Sequence, residues 1–259
     1  MLTGVSILYL LTGALTGLTA GLLGVGGGLI VVPALVAIFS QRGVAPDHLM
    51  HLALGTSLAT IVATSIASIL AHQRHHAILW RDVSRFAPGL TLGALTGSLL
   101  AHRLPTTVLQ TGFALFLMSI AASMLTGKQM SGRSQGEAGL LAGGIIGLIS
   151  ALTGIGGGSM TVPYLSWKGR DLRHAIATSA ACGLPIALAA TIGFIVTGAT
   201  ETQSWSGYVD LSAVSGVVLT SILTAPLGAK LAHALPVPQI RKVFALFLLA
   251  VGLRMLMTT

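Results

Sequence analysis

Two stretches of the chain offer backbone rather than side chains for chemistry: Gly24-Val25-Gly26-Gly27-Gly28 and, 130 positions later, Gly154-Ile155-Gly156-Gly157-Gly158. Each triple glycine is followed five residues on by a proline, Pro33 or Pro163. Glycines let the backbone leave a helix and turn its N–H groups toward a cavity, and the start of the next helix adds a partial positive charge. Such a nest holds an anion without a buried Lys or Arg. Gly26, Gly27 and Gly28, with Gly156, Gly157, Gly158 and the adjoining Ser159, are therefore the first substrate-binding candidates. The competing reading gives these glycines only tight helix crossing, the role expected of Gly13/Gly17/Gly21 and Gly139/Gly143/Gly147. Neither copy continues into Gly-Lys-Ser/Thr, so a nucleotide P-loop is excluded.

A second paired feature is Thr56-Ser57, which falls opposite Thr178-Ser179 if the second copy has a loop eight residues shorter. These hydroxyls are placed to donate to an anion's oxygens, or else to back-bond to the preceding turn or bridge helices. His72, His75 and His76 cluster beside Arg74, and His48 and His51 sit three apart beside Asp47, a spacing a metal can use on a helix, but both groups are expected in solvated loops. No metal or cofactor is expected. An intramembrane enzyme is the competing class. Gly157-Gly158-Ser159-Met160 fits a loose nucleophile pattern, but catalysis needs a base, and no His or acidic residue lies mid-window. The chain is expected not to be an enzyme.

The elements that position these residues follow from charge. Of 259 residues 53% are apolar and only 8% charged, against about 25% in an ordinary soluble domain. The charged residues leave uncharged windows at 1–41, 48–73, 86–102, 104–127, 138–167, 174–200 and 211–229. Each is a candidate membrane span, which needs roughly 20 apolar residues. A soluble enzyme, a disulfide scaffold and a disordered chain are excluded, and the lone Cys182 has no partner. The net charge of +8 is read as cytoplasmic loop charge beside the lipid bilayer rather than nucleic-acid binding. The first charged side chain is Arg42, so a signal peptide's basic start is missing and the first helix is expected to be retained.

The chain is also duplicated. Gly17 to Pro33 and Gly147 to Pro163 share 9 of 17 residues, and Gly97 to Leu117 and Gly228 to Leu248 share 11 of 21. Two homologous halves, 1–127 and 136–259, are joined by a polar linker at 128–135. Each half reads as five helical pieces: 4–23, 29–40, 49–71, 83–101 and 107–126, then 137–153, 159–167, 174–198, 209–230 and 239–257. An unbroken helix over residues 1–41 would be about 60 Å long, twice the hydrocarbon thickness, so it must break at the glycines. The prolines then either kink the short helix that follows or start it. If the break is a reversal, 11 basic residues fall on one membrane face and three (Arg42, Arg103, Arg254) on the other. If it is a mere kink the split is 8 to 6. The positive-inside rule selects the reversal. The expected fold is all-α and polytopic: two inverted homologous repeats with both termini non-cytoplasmic. Whether the first two pieces of each repeat span fully or form a re-entrant hairpin stays open.

The paired Gly-x-Gly-Gly-Gly-x-x-x-x-Pro segments, the Thr-Ser pairs and the Leu-Ala-His-x-Leu-Pro ends resemble the TauE/SafE family of sulfite and organosulfonate exporters, over nearly the whole chain. The resemblance implies a transporter of small sulfur-containing anions in the cytoplasmic membrane. Interrupted helices at corresponding places of two repeats point to a carrier's substrate site. The expectation is thus a secondary carrier, with an anion channel of the same fold as the alternative. Oligomeric state, coupling ion and direction are open.

Overall fold

The computed structural model describes residues 2–23, 27–126, 139–202, 204–234 and 237–258; Gly26 and the linker lie outside them. Among the described residues the chain is all helix: α1 (Leu2–Leu23), α2 (Gly28–Gln41), α3 (Pro46–Gln73), α4 (Trp80–Arg103), α5 (Thr106–Thr126), α6 (Leu140–Thr153), α7 (Gly158–Trp167), α8 (Leu172–Thr202), α9 (Leu211–Ala234) and α10 (Val237–Met257). These match the ten pieces expected, with α3, α4 and α8 longer at both ends. Segments Pro46–Gln73, Thr106–Thr126, Leu172–Glu201 and Leu211–Gly228 are each long and apolar enough to cross a membrane. Large apolar side chains such as Leu15, Leu99, Leu219 and Leu246 face outward, as lipid contact requires.

Small residues decide how the helices pair. α4 lies along α6 through Gly89, Gly93, Gly143 and Gly147; a methyl on Gly93 would land on the carbonyl of Gly144. α1 lies along α9 in the same way, at Gly13 and Gly17, where Thr220 and Thr224 donate to the carbonyls of Leu10 and Ala14 at 2.8 and 3.0 Å. The expected crossing role thus holds for Gly13, Gly17, Gly143 and Gly147. In both pairs the first helix of one half packs on the fourth helix of the other. α3 and α8 form the centre, with Leu54, Leu58, Ile186 and Phe194 fully buried.

Contacts near the helix ends define two rims. At the first, Arg42 donates to the Tyr9 hydroxyl at 2.7 Å and pairs with Asp210, Thr106 donates to the Asp47 carbonyl at 2.7 Å, and Gln110 of α5 donates to the Met255 carbonyl of α10 at 2.8 Å. At the second, the Leu79 amide donates to Thr178 Oγ1 at 3.0 Å, and Arg170 grips Asp82 with both arms, Nε–Oδ2 2.8 Å and Nη2–Oδ1 2.9 Å. Since Arg42 follows α2 yet touches Tyr9 of α1, α2 returns to the rim from which α1 starts. Likewise α7 returns beside the start of α6: the Tyr164 ring meets Phe86 edge-on at 5.4 Å, and a methyl on Gly143 would lie 2.9 Å from the Phe86 carbonyl. α1 and α2 thus run in opposite directions, as do α6 and α7.

Of the two places open to Pro33 and Pro163, the structure has both inside α2 and α7, not at the first residue. One expectation is revised. His48 and His51 are not in a solvated loop, because α3 starts at Pro46 and carries both. His51 is buried, its ring nitrogens bridging the carbonyls of Asp47 (3.1 Å) and Ala101 (3.0 Å) against Tyr208. In the second group His75 and His76 follow α3 and are exposed as expected, whereas His72 lies in the last turn of α3 and is half-buried.

Candidate functional site: the crossing of the two glycine breaks

The second break is a turn only glycine makes cheaply. α6 ends at Gly154 (φ +66°), and α7 is preceded by Gly157 (φ +75°); a Cβ in that left-handed region costs about 1–2 kcal/mol. The Ile155 amide donates back to Ser150 O at 3.0 Å, closing the end of α6. The Gly157 carbonyl takes the Met160 and Thr161 amides at 3.0 and 2.7 Å, and the Gly27 carbonyl takes those of Ile30 and Val31, both at 3.1 Å. The short helices α2 and α7 therefore start alike, each with first-turn amides that have no intrahelical acceptor.

The fold brings the two breaks together. A methyl on Gly28 would lie 2.7 Å from Gly154 O and 3.0 Å from Ile155 Cα, so the start of α2 rests on the second break. Ser57 of α3 donates to the Gly154 carbonyl at 2.8 Å and so ties the second break to α3. α3 and α8 close the sides: Ile61 abuts Gly156, Ile186 abuts Gly157, and Gly183 sits against the Gly156 carbonyl. Gly27 faces Thr16, which is buried with an unpartnered hydroxyl. Three more buried hydroxyls without a partner, Ser150, Ser159 and Thr161, surround the start of α7. The centre thus combines helix starts, neutral donors and apolar walls, a composition that can hold an anion by dipoles alone.

The remaining predicted residues serve the junction between halves. Thr56 Oγ1 accepts the Asp210 amide at 2.9 Å, just ahead of α9, and Thr178 Oγ1 accepts the Leu79 amide, just ahead of α4. Each threonine of a pair thus holds the entry to the other half's fourth helix. Ser179 is buried. Gly26, Gly27, Gly28, Ser57, Gly156, Gly157, Gly158 and Ser159 belong to one stretch of sequence or one contact set at the crossing, with Gly26 outside the described residues; Thr56 and Thr178 sit toward opposite rims.

Sequence reasoning missed the ion pairs and the hydroxyls of Thr16, Ser150 and Thr161. Asp82 and Asp210 read only as ends of uncharged windows, yet the Asp82 side chain is 4% exposed while Arg170, at 47%, reaches in to neutralise it. Asp210 holds the Arg42 guanidinium above its usual range through their hydrogen bond. Burial, with the Glu201 charge adding to it, raises the Tyr208 phenol above its ordinary value, so this ring stays neutral among His48, His51 and His102. Among the described residues no group of three His, Cys, Asp or Glu is placed to hold a metal.

Comparison with known proteins gives the family. Residues 9–255 match the family described as sulfite exporter TauE/SafE. The chain is 38% identical over 256 residues to a probable membrane transporter protein of Haemophilus influenzae, covering 96% of this chain and 97% of that one. A probable membrane transporter protein of Methanocaldococcus jannaschii is 28% identical over 256 residues, with 96% and 95% covered. One from Xylella fastidiosa is 27% identical over 252 residues, with 93% and 91% covered. No solved structure matches the chain significantly.

Proposed function

The chain belongs to the sulfite exporter TauE/SafE family of membrane transporters, and from that premise we propose that it is a secondary carrier exporting small sulfur-containing oxyanions, such as sulfite or organosulfonates, across the cytoplasmic membrane. The observation that carries this reading is the meeting of the two breaks, where Gly28 rests on Gly154-Ile155 and Ser57 of α3 holds the Gly154 carbonyl. A small anion is held there near the midplane by amides of Gly26, Gly27, Gly28, Gly156, Gly158 and Ser159 and by the Ser159 hydroxyl, while Ser57 and Gly157, whose donors go to the Gly154 and Ile155 carbonyls, shape the seat. Thr56, Thr178 and Ser179 set the halves around it.

The halves act as inverted repeats, each opening with a re-entrant hairpin, α1–α2 or α6–α7. The exchanged pairs α1–α9 and α4–α6 support this, as does the ion pair at each rim. With 11 basic residues assigned to the second rim and three to the first, the second rim is cytoplasmic and both termini are outside. Each ion pair joins the returning end of one hairpin to the start of the other half's fourth helix. Access from either side therefore parts one pair, Arg170–Asp82 toward the cytoplasm or Arg42–Asp210 toward the outside.

Sulfite counterflow in proteoliposomes tests the reading. Saturable uptake, accelerated by sulfite on the opposite side, is the expected result. Non-saturating flux without counterflow identifies an anion channel instead. Unchanged transport after bulky replacement of both Gly27 and Gly157 overturns the site.

A further inference from the structure

The short helices α2 and α7 begin with the same amide-to-carbonyl pattern, but the hydroxyls around their starts differ. Ser150 on α6 and Thr161 on α7 are 1% and 0% exposed, and neither hydroxyl has a partner. Many helical threonines of this chain satisfy themselves locally: Thr12, Thr91, Thr153 and Thr197 all bond the carbonyl four residues back at 2.8 Å. Ser150 and Thr161 do not, and neither do Thr16, Ser159, Ser166 and Thr191; what sets Ser150 and Thr161 apart is that both stand beside the same residue. Both oxygens instead lie 3.4 Å from the point where a Cβ on Gly157 would stand, so two helices aim their hydroxyls at one spot over the left-handed residue that starts α7. Ile186 Cδ1, 2.5 Å from the same point, closes the space with a methyl group. At the matching positions 130 residues earlier stand Ala20 and Val31. The polar spot is peculiar to the second break.

An unpartnered buried hydroxyl is costly, and natural proteins keep few of them. Two converging on a helix start with an apolar third wall describe a binding subsite rather than a packing accident. The ligand's charge follows from the donors. No ionised side chain belongs to this spot, so attraction comes from dipoles and grows in proportion to the ligand's charge. The cost of stripping its water grows with the square of that charge. Doubling the charge doubles the gain and quadruples the loss.

Building on the carrier reading above, we propose that Ser150 Oγ and Thr161 Oγ1, together with the first-turn amides of α7, form a subsite for one oxygen of a singly charged oxyanion and discriminate against doubly charged ones. The sulfur substrates admitted are then sulfonates and the hydrogensulfite ion, not the sulfite dianion or sulfate.

Methanesulfonate and sulfate differ by one methyl-for-oxygen exchange and by one charge, so they isolate the effect. The full chain, purified in detergent, is titrated with each at constant ionic strength, and heat unfolding reports binding through ligand stabilisation. Wild type is expected to be stabilised saturably by methanesulfonate and at least 10-fold more weakly by sulfate. Ser150→Ala and Thr161→Val each lose a hydrogen bond to a charged group and weaken methanesulfonate binding by about 10- to 100-fold. Thr161→Ser restores it. Without ligand, Ser150→Ala and Thr161→Val unfold at the same temperature as wild type or higher, because each removes a buried unpaired hydroxyl; a merely structural role would lower it. Sulfate binding as tight as methanesulfonate overturns the charge selection, and wild-type methanesulfonate affinity in both variants overturns the subsite while leaving the carrier intact. If no sulfur anion stabilises wild type or undergoes counterflow, the carrier reading itself falls, and this subsite with it.

Discussion

Gly157→Ala is the sharpest single test of the central site. The residue sits at φ +75°, so an added Cβ carries about 1–2 kcal/mol of left-handed strain. The same atom lies 2.5 Å from Ile186 Cδ1, the free end of a flexible side chain, whose displacement costs about 0.5–1.5 kcal/mol. Together they make roughly 2–3 kcal/mol, within the usual 5–15 kcal/mol of total stability, so the protein folds but is weakened. The new methyl also stands 3.4 Å from both hydroxyls and crowds the groups that would donate to the anion. Gly169→Ala is the matched control: φ is +78° with nothing within 4 Å, so it carries the backbone strain alone and lies outside the site. Counterflow in proteoliposomes at equal protein load is expected to fall more than 10-fold for Gly157→Ala and to keep at least half its rate for Gly169→Ala, with both unfolding earlier than wild type. Wild-type flux in Gly157→Ala alongside a stability loss like that of Gly169→Ala would refute the assignment of the break as the anion's seat.

Gly93→Ala drives a methyl into the Gly144 backbone and is expected to prevent proper α4–α6 packing, whereas Gly112→Ala meets nothing within 4 Å and gains about 0.5–1 kcal/mol of helix stability; monodispersity and heat unfolding in detergent separate them. Arg170→Gln leaves the buried Asp82 carboxylate without its cation and is expected to destabilise more than Arg42→Gln, since Asp210 is the more exposed carboxylate; unfolding midpoints read the order, and equal losses would count against it. Reporter fusions at Met1 and Thr259 are both expected to give non-cytoplasmic signals; a cytoplasmic signal at both ends would overturn the inverted arrangement.

Much of this was legible without coordinates, because in a bilayer the rules are few. A chain with so few charges must cross membranes as helices, and the windows between charges set where those helices run to within a few residues. The duplication of Gly24–Gly28 as Gly154–Gly158 exposed both breaks, and the distribution of Lys and Arg pointed to reversal, since a kink leaves almost no bias. Tertiary structure decided the rest, for reasons of distance along the chain. Arg42 and Asp210 are 168 positions apart and Arg170 and Asp82 are 88 apart, and no local pattern pairs them. That Thr56 and Thr178 receive the amides leading into α9 and α4 is a consequence of packing between halves. Ser150 and Thr161 look ordinary in sequence, because a helical hydroxyl normally turns back on its own carbonyls. Only their burial without such a bond, on two helices converging over Gly157, singles them out. The sequence by itself thus determined a duplicated helical membrane protein with paired glycine breaks. The packing of one half against the other decided which uncharged groups meet there, because an anion site without ionised residues is made of directions and distances that composition does not record.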